Sequence, residues 1–387
     1  MRASPDRLER LPEQYFAGLL ARVAAAAALE GEPLVDLGRG NPDVPPPAHV
    51  VEALARSAAE RTPRIHGYPP FRGLPALREA IAARYASEYG VRLDPEREVA
   101  VLPGTKTALA ELQLCLAERG DTVLLPDPGY PDYHSGAALA GARARSLPLD
   151  RQAGWAPDFA SAPASGVAAV YLNYPSNPCA AAAPDGVFAE AVRFAERAGA
   201  AVVHDFAYGD LVFDGRRPAS FLAEPGAREV GVELFSMSKS YGMAGWRVGF
   251  AVGNAEIVAR LNLLSDHVRA GVFTPLQEAC VAALTGPQET VAERRSVYER
   301  RRDRACARLA TAVAGAEGSF YVWLELPDGV TPETLLAEQR VAVAPGAGFG
   351  GRGAGFARLS LAVADETLEL GLERLAGALE TAYAAER

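Results

Sequence analysis

The chain has 387 residues, 39 lysines and arginines against 48 aspartates and glutamates, a formal net charge of −9, and 49% hydrophobic residues. That length suits two ordinary domains, and the acidic balance argues against a general nucleic-acid or anionic-membrane surface. No window reaches the roughly 18 apolar residues of a membrane span, and four scattered cysteines without a CxxC pair argue against a disulfide framework or zinc site.

Residues 1–45 carry one helical pattern and then the stretch LGRGNPDVPPP. Met1–Arg10 has no apolar core, so no signal peptide is expected, and a reducing cytoplasm is the expected location. VVEALARSAAE and LPALREAIAARYASEYG read as helices. Strands are then predicted at 99–103, 122–127, 167–175, 200–208, 232–239 and 248–253, with helices at 107–119 and near 186–198 between them. Short apolar runs alternating with helices predict an α/β protein with a mostly parallel sheet. A helical region covers 254–315, and its basic cluster RRSVYERRRDR reads as a solvated helix face. SFYVWLELP, VAVAP and FARLSLAV read as strands of a smaller α+β unit, closed by a helix at 366–385. The expected division is a large domain at 46–290 and a small domain formed by 1–45 with 291–387. GAGFGG at 346–351 matches GxGxxG but leads into a strand rather than a helix, which argues against a nucleotide loop. The five histidines show no metal spacing, and no metal is expected.

Ligands of an open α/β sheet bind beyond the carboxyl ends of its strands. There the chain places PGTKTA, DPGYPDY, NYPSNP, HDFAY and SMSK, one after each of five predicted strands. Lys239 in SMSK, taken alone, could be a strand-end lysine reaching solvent. In a partly dry site its pKa falls and it becomes a nucleophilic amine, able to form a Schiff base with the carbonyl of pyridoxal phosphate. The other groups suit that cofactor. Ser236, Arg247 and the backbone amides of Thr105 and Lys106 at a helix N-terminus can take its phosphate. Asp205 can partner the pyridine nitrogen, Tyr208 and Asn177 the ring oxygen, and Tyr130 the ring face. A capping role for Asp205 alone stays open.

With LGRGNPD, YPPFRGLPALREA, PGTKTAL, DPGYPDY, YPSNP, HDFAYGDLVFDG, SMSKSYGMAGWRVGF and RLSLA in this order, nearly the whole chain resembles the fold-type I, class I/II aminotransferases that use pyridoxal 5'-phosphate. It is most similar to the bacterial methionine-salvage, alanine and diaminopimelate types. The resemblance implies that Lys239 carries the cofactor and moves the substrate α-proton, and that Asp205 holds the pyridinium. It implies that Arg358 clamps the substrate α-carboxylate, helped by the Gly38 backbone and by Asn177. It also implies that Tyr68 reaches the phosphate of a neighbouring subunit, so that a homodimer shares its sites. The implied activity is transfer of an amino group from an L-amino acid to a 2-oxo acid; elimination, replacement, S-adenosylmethionine-type γ-chemistry or oxidation on the same cofactor is the alternative. The chain departs from the family's NPTG turn at Asn177-Pro178-Cys179-Ala180. Arg39, Arg72 and Arg269 stand as candidates to meet a side-chain carboxylate. Tyr15, Phe16, Tyr321 and Phe349 could instead line a pocket for a neutral side chain.

Overall fold

The computed structural model describes residues 5–163 and 165–385; the reading of Met1–Arg10 and the extreme ends of the expected small domain lie partly outside them. Its strands, in chain order, are β1 (Val35–Asp36), β2 (Val99–Leu102), β3 (Thr122–Asp127), β4 (Arg143–Asp150), β5 (Ala156–Pro157), β6 (Val167–Asn173), β7 (Ala201–Asp205), β8 (Gly231–Ser236), β9 (Gly249–Gly253), β10 (Val313–Gly315), β11 (Tyr321–Glu325), β12 (Val341–Ala342), β13 (Ala344–Pro345) and β14 (Phe356–Ser360).

Eight strands form one sheet in the order β2-β9-β8-β7-β6-β3-β4-β5. The run from β8 to β4 is parallel throughout, β9 lies antiparallel to both β2 and β8, and β5 is an antiparallel edge. β2 and β8 are buried at every residue. Their side chains alternate between two cores: Phe235 and Val101 pack on one face, Val232, Leu234 and Ala100 on the other. This two-sided burial is what gives both runs their unbroken apolar signature. The strand β4 has no such signal, because its first four residues, RARS, are exposed. The helix expected at 107–119 starts at Thr105 and ends at Leu116, two to three residues earlier at each end.

A second, antiparallel sheet has the order β10-β11-β14-β13. Beside it β1 pairs parallel with β12, and Ser360 N donates to Leu37 O at 2.7 Å, so the N-terminal segment joins the C-terminal elements. Leu37, Phe320, Leu359 and Leu372 share their own core. The run VAVAP is not one strand: β12 and β13 belong to different sheets. GAGFGG forms two short 3-10 turns that lead into β14. Among the described residues no helix is long and apolar enough to cross a membrane.

The basic cluster corrects its sequence reading. On the helix Glu289–Arg308, Arg294, Arg301 and Arg302 face inward with Val291, Tyr298 and Ala305, as their three- and four-residue spacing on one helix face allows. Arg294 donates to the Val44 and Pro45 carbonyls at 2.6 and 2.8 Å. Arg301 pairs with Asp43 and Asp365, and Arg302 with Asp214. A guanidinium is tolerated in a buried position when carbonyls and carboxylates accept its N–H hydrogen bonds, and here three of them tie the 43–45 segment and the 213–214 turn to this helix.

Candidate active site

The carboxyl ends of β2, β3, β6, β7 and β8 share one rim, and β9, running the other way, enters from it. A cavity of about 410 Å³ opens there, within the range of small-ligand pockets. Every strand end contributes to its lining. Thr105 and Lys106 follow β2, Tyr130 follows β3, Asn177 follows β6, and Asp205 and Tyr208 close β7. Ser236 and Lys239 follow β8, Arg247 precedes β9, and Arg358 reaches in from β14. Gly38 stands just behind this lining. Tyr68 is 88% exposed and lies outside the cavity of its own chain.

At the end of β8, the Ser236 hydroxyl accepts from Ser238 N at 3.2 Å and caps the helical turn Met237–Ser240 that carries Lys239. The Lys239 amine sits 5.1 Å from the Phe320 ring centre and 5.8 Å from that of Tyr208. Loss of water lowers its pKa to about 8, with Arg358 and Arg247 acting in the same direction and Asp205 against them. Burial pushes the Asp205 carboxyl up. Two donors oppose that push: the Tyr133 hydroxyl at 2.9 Å and Ala207 N at 3.2 Å. Tyr133 escapes sequence reasoning, although it lies three residues after Tyr130 at the start of the helix Tyr133–Ala140.

Arg358 is 1% exposed. Its Nη1 donates to Asn177 Oδ1 at 2.6 Å and its Nη2 to Gly38 O at 3.1 Å, and its guanidinium lies 4.0 Å from the Tyr321 ring centre. Nε has no partner. Asn177 is held in turn, its N–H donating to Asn173 Oδ1 at 2.7 Å, while Asn173 Nδ2 donates to Asp205 O at 2.7 Å. Asn173 and Ser238 also line the cavity; asparagine and serine are too common near strand ends to stand out in the sequence. The Tyr208 hydroxyl donates to that of Tyr321 at 3.3 Å.

Gly104, with φ of +83°, caps the helix that starts at Thr105, and a Cβ there would collide with the Arg247 guanidinium. The absent side chain lets a fixed cation lie against a helix N-terminus, a combination suited to a phosphate. Lys106 Nζ lies 2.9 Å from Asp132 Oδ2, and Asp132 Oδ1 accepts from Gln14 Nε2 at 2.6 Å. Gln14 caps the helix Tyr15–Ala27, which brings Phe16, Leu19 and Leu20 to the cavity. Phe16 and Tyr321 therefore line it, whereas Tyr15 packs edge-on against Phe349 at 5.2 Å outside the lining. Arg269 pairs with Glu111 at 3.0 Å; of the three candidate arginines only Arg39 lines the cavity. His204 is fully buried, its Nδ1 2.8 Å from Glu233 Oε2, and Cys179 is fully buried too.

This donor set fits pyridoxal 5'-phosphate. Its phosphate has a helix N-terminus and Arg247, its ring nitrogen a buried carboxylate, its aldehyde an amine of lowered pKa. The unpartnered Nε of Arg358 leaves a cation free for a substrate carboxylate. Fold and donors together define a pyridoxal-phosphate enzyme of fold type I.

Comparison narrows the class. The model for aminotransferase class I and II matches residues 32–375, and the chain belongs to that family. It is 46% identical over 372 residues to the L-glutamine–4-(methylsulfanyl)-2-oxobutanoate aminotransferase of Bacillus subtilis, covering 94% of this chain and 93% of that one. It is 40% identical over 380 residues to an LL-diaminopimelate aminotransferase of Dehalococcoides mccartyi, with 96% and 97% covered. Substrate-bound BacF of Bacillus subtilis superposes with a TM-score of 0.90 at 39% identity over 98% of both chains. An aminotransferase of Staphylococcus aureus superposes at 0.91 and 35%, over 98% of this chain and 100% of that one. The protein is an aminotransferase that uses pyridoxal 5'-phosphate.

Proposed function

We propose that the residues gathered at the cavity divide the work of a two-stage exchange between an L-amino acid and a 2-oxo acid as follows. Lys239 would hold the cofactor through its amine and, as a free amine, would carry the proton to and from the substrate Cα. When bound, pyridoxal phosphate would supply the electron sink that makes that proton removable. Asp205 keeps a proton on the ring nitrogen, Tyr208 and Asn177 donate to the ring oxygen, and Tyr130 covers the ring face. Ser236, Arg247 and the amides of Thr105 and Lys106 hold the phosphate. Arg358, positioned by Gly38 O and Asn177, receives the α-carboxylate. The observation that carries this reading is the pairing, in one cavity, of an amine with pKa near 8 and a buried arginine with an unused Nε.

Phe16, Leu19 and Leu20 favour an uncharged, apolar or thioether side chain on one of the two substrates, in keeping with the methylsulfanyl substrate named for the Bacillus relative. The same reading takes 46–290 as a large cofactor-binding domain and 1–45 with 291–387 as the small one, and places the protein in the cytoplasm as a homodimer in which Tyr68 serves the site of the second copy. An absorption titration of the holoenzyme with single amino acids, without an oxo acid, tests the assignment. Loss of the yellow band with release of one matching oxo acid per site is expected; a band that persists with every common amino acid overturns it.

A further inference from the structure

His204 and Glu233 are fully buried, and the proposed function uses neither. They are register neighbours on β7 and β8. Side chains alternate along a strand, so His204 faces the core of Val202 and Phe206 while Asp205, its neighbour in sequence, faces the cavity. The His204 ring lies 5.0 Å from that of Phe188 and 5.1 Å from that of Phe206. An ionisable pair in such surroundings is costly unless its polar atoms are hydrogen-bonded. Glu233 accepts from the Tyr85 hydroxyl at 2.7 Å, the Ser220 hydroxyl at 2.9 Å and Phe221 N at 2.8 Å. His204 Nδ1 stands 2.8 Å from Glu233 Oε2, and a ring nitrogen that faces a carboxylate oxygen is the one that carries the proton.

The second nitrogen is turned to the exit of β6. Nε2 lies 3.3 Å from Tyr174 N, from which the neutral ring accepts, and 3.1 Å from Tyr174 O. Tyr174 opens the turn that ends in the cavity at Asn177. That turn is braced: Ser176 N donates to Ala181 O at 2.9 Å, and Ser176 Oγ accepts from Ala181 N at 3.0 Å. A shift of the Tyr174 backbone therefore moves the turn as a unit. It displaces Asn177, whose Oδ1 accepts from Arg358 at 2.6 Å.

Resting on the assignment of Arg358 to the substrate α-carboxylate, we propose that His204, oriented by Glu233, is a positioning residue for that arginine. It meets neither substrate nor cofactor. It fixes the Tyr174 backbone, the turn carries that position to Asn177, and Asn177 sets the guanidinium. A histidine suits the task because its two nitrogens point different ways from one rigid ring. From β7 it bridges a carboxylate on β8 and the backbone that leaves β6.

Substitution separates the two nitrogens. His204→Asn keeps an amide near the Nδ1 position, toward Glu233, and loses the reach to Tyr174. His204→Gln keeps an amide near the Nε2 position, toward Tyr174, and loses the contact with Glu233. The holoenzymes are compared on the amino acid that the wild type converts best, and on inhibition by pentanoate, a carboxylate without an amino group. In His204→Asn, KM and the pentanoate inhibition constant should both rise about 10-fold, the size of one lost hydrogen bond, while kcat changes less than about 3-fold. His204→Gln should hold both constants within about 3-fold of the wild type, even where its melting temperature falls as far. Equal rises in the two variants, or constants that follow the melting temperature, overturn the proposal and leave His204 a packing residue. A readout without substitution uses the wild-type holoenzyme, in which pentanoate should slow amide exchange over residues 174–177. Unchanged exchange there also overturns the coupling. A wild type that pentanoate does not inhibit strikes the Arg358 assignment itself, and the proposal with it.

Discussion

At Lys239 the loss of water and the two neighbouring arginines act together, and the amine titrates near 8 rather than near 10.5. Only the neutral amine attacks a carbonyl. The rate at which the apoprotein couples to added pyridoxal phosphate should therefore rise from pH 6 to pH 8 and level off above about 8. A stopped-flow series that keeps climbing to pH 10 would contradict this environment. Asp205 poses the opposite problem, a carboxyl that burial pushes toward neutrality and that Tyr133 helps to keep ionised. In Tyr133→Phe that help is lost, the carboxyl titrates higher still, and less of it is charged at neutral pH. The expected result is a kcat lower by about 10-fold, equivalent to one hydrogen bond to a charged group, with the acid limb of the pH profile moved to higher pH. An unshifted acid limb would mean that Tyr133 only fills space. Lys239, Asp205 and Arg247 were legible because each lies beside an apolar run, at the place where a parallel sheet opens its binding edge. Tyr133 was not, because one tyrosine among 13 declares a role only when its side-chain direction is known.

Among the elements, the helix Tyr15–Ala27 buries little of its own surface and yet brings Phe16, Leu19 and Leu20 to the cavity. It is rich in alanine and buries only Leu19 and Val23. Its start is fixed by one side chain: Gln14 Oε1 accepts from Phe16 N and Ala17 N at 2.9 and 3.2 Å, while Nε2 reaches Asp132. Gln14→Ala removes the cap and the tie together, at a cost of about 1 kcal/mol for the cap. Hydrogen exchange should quicken in the first turns of this helix, and KM for neutral amino acids should rise several-fold while the melting temperature stays within a few degrees. Exchange that quickens over the whole chain would mean that the helix stabilises the fold at large. The central strands were legible because parallel strands buried on both faces have an unbroken apolar signature. The pairing of β1 with β12 joins residues about 300 positions apart through two-residue strands, and nothing local marks it. The inward arginines of the helix Glu289–Arg308 misled for a related reason: a charge pattern gives the face of a helix, but whether carboxylates and carbonyls wait opposite is a tertiary fact.

For the whole molecule, the exposed apolar side chains are unevenly placed. Tyr68 is 88% and Phe71 43% exposed, and Phe273 is 44% exposed beside them: its ring lies 6.0 Å from that of His66, and Gly271 packs against Pro69 and Pro70. Leu263 and Val268, on the helix that leads to this corner, are 60% and 59% exposed. On the dimer reading proposed above, a second copy would cover these side chains, and the tyrosine would have a hydroxyl to offer across the contact. Light scattering should give twice the chain mass of 40.8 kDa. Sharing of the site calls for a sharper measurement than mass. Lys239→Ala lacks the amine but keeps Tyr68, and Tyr68→Phe keeps the amine but lacks the hydroxyl. If Tyr68 completes the neighbouring site, a hybrid of the two contains one site with both groups intact. Unfolding and refolding the two variants together should then give more activity, and tighter cofactor binding, than the separately refolded variants combined. Activity no greater than that combination, from a mixture shown to contain hybrids, would confine Tyr68 to its own surface and remove the chemical reason for the dimer.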